Sequence, residues 1–165
     1  MIFATVGTQL PFPRLIEALV ALVPTLGEEI VIQTGTEPAP GWTGAGPSPG
    51  LSLHRTLTPA EFETHFTAAR VVVGHAGIGT ILSARRWGKP LVVLPRRHAM
   101  GEHRNDHQLA TARQVEALPG VHVAWEVADL GPLLARPDLA PPPPATEMGP
   151  SHAALVARLR SFIAG

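Results

Sequence analysis

The chain has 165 residues, 45% of them hydrophobic and 5% aromatic, with 13 basic and 13 acidic side chains. That length suits one domain with an aliphatic core, and the zero net charge removes the bulk-charge argument for binding nucleic acid or an anionic membrane. The chain has no cysteine, which excludes a disulfide framework and a thiolate metal site and suits a reducing compartment.

Residues 1–6, MIFATV, read as a buried strand stopped by Gly7. No basic region precedes them, so no secretory leader is expected. The longest purely apolar run, residues 18–23, is far short of the ~20 residues a membrane span needs. From Pro11 onward Phe12, Leu15, Ile16, Leu19, Leu22 and Val23 recur at three and four, which predicts an amphipathic helix. Residues 28–35 predict a second strand. Residues 36–50, with four prolines and four glycines, predict a long irregular loop. A third strand is expected at 51–57.

At 58–69, Thr58, Pro59 and Glu61 spell a capping box with proline in the first helical position. Strands are expected at 70–74, 89–95 and 120–125, and helices at about 80–87 and 107–118, with a short helix after the last strand. Residues 1–136 thus form one Rossmann-like α/β domain. Its sheet is parallel, doubly wound and about six-stranded. Residues 137–150 are a proline-rich tether, and 151–165 are a C-terminal helix packing back on the domain.

Such sheets bind ligands beyond the carboxyl ends of their strands, so the loops after strands one, four and five carry the candidates. Gly74-His75-Ala76-Gly77-Ile78-Gly79-Thr80 joins a strand to a helix. Its glycines permit close approach, and the free amides opening the helix suit an anion. The same stretch also reads as a tight turn with a capping hydroxyl. It fits neither the dinucleotide fingerprint nor a P-loop. Gly7, Thr8 and Gln9 read either as an ordinary turn or as further donors to the same ligand.

Pro95 to Gln108 holds ten hydrogen-bonding side chains in fourteen residues. His98, His103, Asp106 and His107 offer a metal reading, without a recognised ligand spacing. A polar grip on a sugar, with Arg96 near phosphates, fits the stretch better. His54, His65, His122 and His152 fall outside these loops and read as surface or satisfied histidines. No nucleophile elbow is present.

Together, "MIFATVGTQLPFPRLI", "HAGIGTILSARRWGKPLVVLPRR" and "GEHRNDHQLATA" resemble the C-terminal, donor-binding half of GT-B glycosyltransferases of family 28. Stand-alone versions of that half serve bacterial exopolysaccharide and capsule synthesis. A eukaryotic relative is the soluble catalytic subunit of the dolichol-linked N-acetylglucosaminyltransferase. The resemblance runs to about Leu118 and implies a UDP-sugar donor, with a hexosyl or N-acetylhexosaminyl group transferred. Gly7, Thr8 and the His75–Thr80 loop would face the diphosphate, and His107 and Gln108 the donor sugar. Ser83 stands where relatives often carry a ribose-holding acid.

The same resemblance implies no cofactor and no tightly bound metal. It implies a membrane-anchored, acceptor-binding partner subunit, a lipid-linked saccharide acceptor, and a location at the cytoplasmic face of the membrane through that partner. In isolation the face meant for the partner would allow a homodimer. No general base is assigned; Glu102, His103, Asp106 and His75 are the candidates. The alternative is a non-catalytic enhancer or scaffold for a membrane-bound transferase.

Overall fold

The structure, a computed structural model, describes residues 1–35, 49–143 and 157. Six short strands lie among these residues: β1 (Ile2–Thr5), β2 (Ile30–Gln33), β3 (Leu51–His54), β4 (Val71–Gly74), β5 (Leu91–Val93) and β6 (Val121–Val123). They pair in parallel in the order β3-β2-β1-β4-β5-β6. Five helices connect or cover them: α1 (Pro13–Leu26), α2 (Pro59–Ala68), α3 (Ile78–Arg86), α4 (His107–Val115) and α5 (Leu130–Leu134). This is the doubly wound Rossmann-like sheet the strand–helix alternation predicts.

The pleat of β1 explains the two layers. Side chains alternate faces along a strand. Ile2 and Ala4 therefore join Phe12, Leu15 and Leu19 of the α1 region and Leu130 and Leu134 of α5. Phe3 points to the other face, with Phe66 of α2, Ile81 of α3 and Val115 of α4. Burying each such side chain contributes roughly 1.5–3 kcal/mol, so both faces hold the central strands.

Several boundaries move for local reasons. Phe12 caps α1 instead of lying inside it, and Pro13 takes a first-turn position, where its missing N–H costs nothing. The helix continues through Pro24 and ends at left-handed Gly27. The capping box at Thr58 forms, with Thr58 and Glu61 exchanging both hydrogen bonds. The fourth loop's helix, α3, starts at Ile78, two residues before the expected Thr80, with Gly77 as its cap. Each strand is shorter than the stretch expected for it.

Part of the expected tether packs on the domain. Leu139 joins the core, and Pro142 lies against Gly120, whose positive φ and missing Cβ leave room for it. The remainder of the tether, most of the 36–50 loop, and the expected C-terminal helix except Ala157 lie outside the described residues.

The register sets the site. Thr5 is level with Gln33 and Gly74, and Gly74 with Val93. The loops after β1, β4 and β5 therefore leave the sheet side by side. The winding direction reverses between β1 and β4, which is the switch point where such sheets open a crevice.

Candidate functional site

An open cleft of about 700 Å3 occupies that crevice. Gly7, Thr8 and Gln9 line it from the β1–α1 loop, and His75, Gly79, Thr80 and Ser83 from the β4–α3 connection and α3. Arg96, His103 and Gln108 close it from the β5–α4 side. Three loops that are separate in sequence thus meet around one space.

The glycines in these loops make room for one ring. A Cβ on Gly77 would lie 2.2 Å from His75 Nε2, and a Cβ on Gly7 would lie 3.0 Å from His75 Cε1. The imidazole therefore sits against two residues that have no side chain. Gly7 also takes φ +80, a left-handed turn that glycine enters without strain, and its N–H donates to Thr5 Oγ1 at 3.3 Å. On the other side of the loop, a Cβ on Gly74 would press the Thr80 methyl at 3.1 Å.

Burial pushes the His75 pKa from 6.5 down to about 4, helped by the Arg96 charge and by His103. Its Nδ1 is buried without a hydrogen-bond partner, so nothing in the fold supports a second ring proton. At neutral pH the ring is uncharged and has a single N–H to donate. Beside it, the first-turn amides of Ile78, Gly79 and Thr80 open α3, whose cap makes no side-chain hydrogen bond and whose first turn has no acid. Those amides and the helix dipole favour a negative charge. A Cβ on Gly79 would meet nothing within 4 Å, so the space over this turn is open.

Arg96 lines the cleft but is only 2% exposed, and its guanidinium is engaged elsewhere. Nη1 donates to Pro11 O at 2.5 Å and Glu102 O at 3.3 Å; Nη2 donates to Val6 O at 2.9 Å and Leu10 O at 2.7 Å. Burial lowers its pKa to about 10, against the pull of Glu102, so it stays a cation at neutral pH. Its backbone N–H donates to Gln108 Oε1 at 3.0 Å. That bond fixes the Gln108 carboxamide and leaves its NH2 as the end available to a ligand.

The other site candidates are placed as follows. Ala76 is buried in the α2–α4 layer, with Ile78 packed on the same cluster; neither lines the cleft. His107 lies outside the cleft lining and is exposed at the start of α4. Glu102 is also outside it. Its carboxylate accepts from Arg14 Nε at 2.6 Å, Arg14 Nη2 at 2.8 Å and Arg97 N at 2.9 Å. Asp106 accepts from His98 N at 3.0 Å, away from the cleft. Of the acid–base candidates, His75 and His103 reach the cleft, and His103 Nδ1 is held by Asn105 at 3.0 Å. Among the described residues no group of three His, Asp or Glu side chains is placed to hold a metal ion.

One wall was missed by the sequence reading. Leu57, Pro59, Phe62 and Glu63 line the cleft from the start of α2, facing Arg86 and Trp87 of the α3 end. Trp87 packs on Phe62 and Phe66, with ring centroids 6.3 and 4.8 Å apart. The signal was the spacing: Pro59, Phe62 and Glu63 share one helical face, as do Thr80, Ser83 and Trp87. Glu63 is the one carboxylate among the described cleft residues.

The glycosyltransferase family 28 C-terminal domain matches residues 1–119. The chain belongs to this family. Over 87 residues it is 40% identical to the UDP-N-acetylglucosamine transferase subunit ALG13 of Eremothecium gossypii, a match spanning 50% of this chain and 41% of that protein. The chain therefore spans under half the length of this curated relative. An NMR solution structure of ALG13 superposes with TM-score 0.61 at 18% identity, covering 94% of both chains. The calicheamicin glycosyltransferase CalG4 gives 0.63 at 21% identity, covering 98% of this chain and 37% of that one. Acinetobacter baumannii MurG gives 0.58 at 20%, covering 95% and 44%. These structural likenesses establish the fold, that of the C-terminal domain of GT-B glycosyltransferases.

Proposed function

We propose that this family 28 domain is the donor-binding subunit of a two-component glycosyltransferase. It takes a UDP-sugar and, with a membrane-anchored partner that holds the acceptor, passes the sugar to a lipid-linked saccharide at the cytoplasmic membrane face. The observation that carries this reading is the cleft at the switch point. An uncharged His75, the first-turn residues Gly79 and Thr80 of α3, and Gln108 line it together. In this reading His75 and the amides donate to the diphosphate and stabilise the charge that grows on it as the sugar leaves. Gln108 holds the sugar. No bound metal is needed for that step, and in this reading the partner supplies the general base; of this chain's candidates, Glu102 and Asp106 hold bonds elsewhere.

A second reading is a non-catalytic enhancer of a partner transferase. It is favoured by Ser83, which brings a hydroxyl and no carboxylate to the cleft. One experiment separates them. UDP is titrated calorimetrically, and sugar transfer is assayed after co-expression with the partner, for wild type, His75→Ala and Gln108→Ala. The donor reading expects UDP affinity to fall by ~1–3 kcal/mol in His75→Ala, with transfer falling in both variants. Full transfer by both variants establishes the enhancer. No UDP binding, with or without the partner, refutes the donor reading.

A further inference from the structure

The least expected residue in the cleft wall is Arg96. An arginine beside a phosphate site is ordinarily read as a phosphate ligand. Here its guanidinium donates to four backbone carbonyls, three from the β1–α1 loop (Val6, Leu10, Pro11) and one from Glu102 of the β5–α4 loop. It also lies over the Phe12 ring, 4.5 Å from the centroid. Phe12 caps α1 and is fully buried. These five contacts take up both Nη atoms and one face of the guanidinium.

We propose that Arg96 is a positioning residue: it fastens the β1–α1 loop to the β5–α4 loop and keeps one fixed positive charge beside His75, without touching the ligand itself. The loop it fastens is the one that brings Gly7, Thr8 and Gln9 to the cleft, and Gly7 is the residue against which the His75 ring packs. Without Arg96 the buried Val6 carbonyl would lose its donor, a loss the fold avoids, and the part-buried Leu10 and Pro11 carbonyls would be released with it. Lysine cannot replace this grip, because an ammonium has three donors and no planar fork.

The charge has a separate effect. Burial first, then Arg96, then His103 disfavour the protonated His75 ring. The nearby Glu102 carboxylate does not offset this, since Arg14 and the Arg97 amide hold it. Arg96 thus helps keep His75 a neutral donor whose N–H is not accompanied by a titrating charge. The consequence for ligand affinity rests on reading the cleft as a UDP-sugar site; the loop and the His75 ionisation do not.

The test uses the full chain, uniformly labelled with nitrogen-15, as wild type, Arg96→Lys and Arg96→Met. Three quantities are read: the His75 ring pKa from its nitrogen shifts, backbone order parameters at Thr8, Gln9 and Leu10, and UDP affinity. Wild type is expected to titrate near pH 4 with an ordered loop. Arg96→Met raises the His75 pKa by about one pH unit or more and drops the loop order parameters below about 0.6. Arg96→Lys keeps the His75 pKa low and still loosens the loop. UDP binds at least tenfold more weakly to both.

An ordinary His75 pKa in wild type overturns the proposal, as does a folded Arg96→Met with both ligand-free readouts unchanged. If Arg96→Met does not fold, Arg96→Lys decides: an equally ordered loop there overturns it. If wild type binds no UDP, the donor reading fails, while the first two readouts still judge Arg96.

Discussion

Gly77→Ala tests whether the glycines of the β4–α3 loop exist to seat His75. Gly77 has φ −96 and ψ 138, an extended conformation that alanine adopts without strain. The perturbation is therefore steric alone. The new Cβ would lie 2.2 Å from His75 Nε2, 2.8 Å from Cδ2 and 3.0 Å from Cε1. Non-bonded heavy atoms settle at roughly 3.5–4 Å, so the ring must withdraw by more than about 1 Å. Gly7 lies against its Cε1, so the ring swings out and cannot simply slide back.

A donor displaced that far loses its hydrogen bond. A bond to a charged group contributes roughly 1.5–3 kcal/mol, which corresponds to UDP binding weakened by roughly 10- to 150-fold. The swung-out ring gains water, so its pKa climbs from about 4 toward 6.5. Stability changes by less than about 1 kcal/mol, because no core atom is removed. Calorimetric UDP titration and a histidine NMR titration read both effects. The decisive control is the double variant with His75→Ala, in which Gly77→Ala should cost almost nothing more. If it costs as much there as alone, or if His75 in Gly77→Ala still titrates near 4, the seat-for-the-ring reasoning is wrong.

Glu102→Gln should behave as a structural variant. The carboxylate is 8% exposed and its Arg14 partner 16%, so removing one charge leaves the other buried, at a cost of about 3 kcal/mol or more in urea unfolding. UDP affinity of the folded variant should hold; an unchanged midpoint with lost transfer would instead make Glu102 the base. Acid should also weaken the fold through His75. The unfolded ring takes a proton below 6.5 and the folded one only near 4, so stability present above pH 6.5 is lost as pH falls toward 4. At pH 5 that loss is about 2 kcal/mol. Denaturant curves at pH 7 and 5 should show it in wild type and not in His75→Gln; an equal loss in both would remove His75 as its source.

Much of the architecture was legible because it rests on local chemistry. The runs at β1, β2 and β4 are apolar on both faces, which only a covered parallel sheet satisfies. Thr58, Pro59 and Glu61 spelled the start of α2, and the structure has that capping box. The start of α3 was misplaced by two residues, because Gly77 makes a cap with no side chain to announce it. The aromatic wall of Phe62 and Trp87 was not read, because a cleft between two helices is a property of their packing and neither helix face names it alone.

The amino-acid sequence by itself determined the class of fold, the three loops that would carry the site, and the family, because spacing, glycine placement and strand hydrophobicity are local and cumulative. The tertiary structure decided what each polar residue in those loops does. Arg96, Glu102 and Gln108 look alike as hydrogen-bonding residues in one polar segment. Their neighbours across the fold separate them: one holds backbone carbonyls, one pairs with Arg14, and one keeps an amide for the cleft. The state of His75 was decided in the same way. Burial and the charge of a residue 21 positions away set its protonation, and burial exists only once the chain has folded.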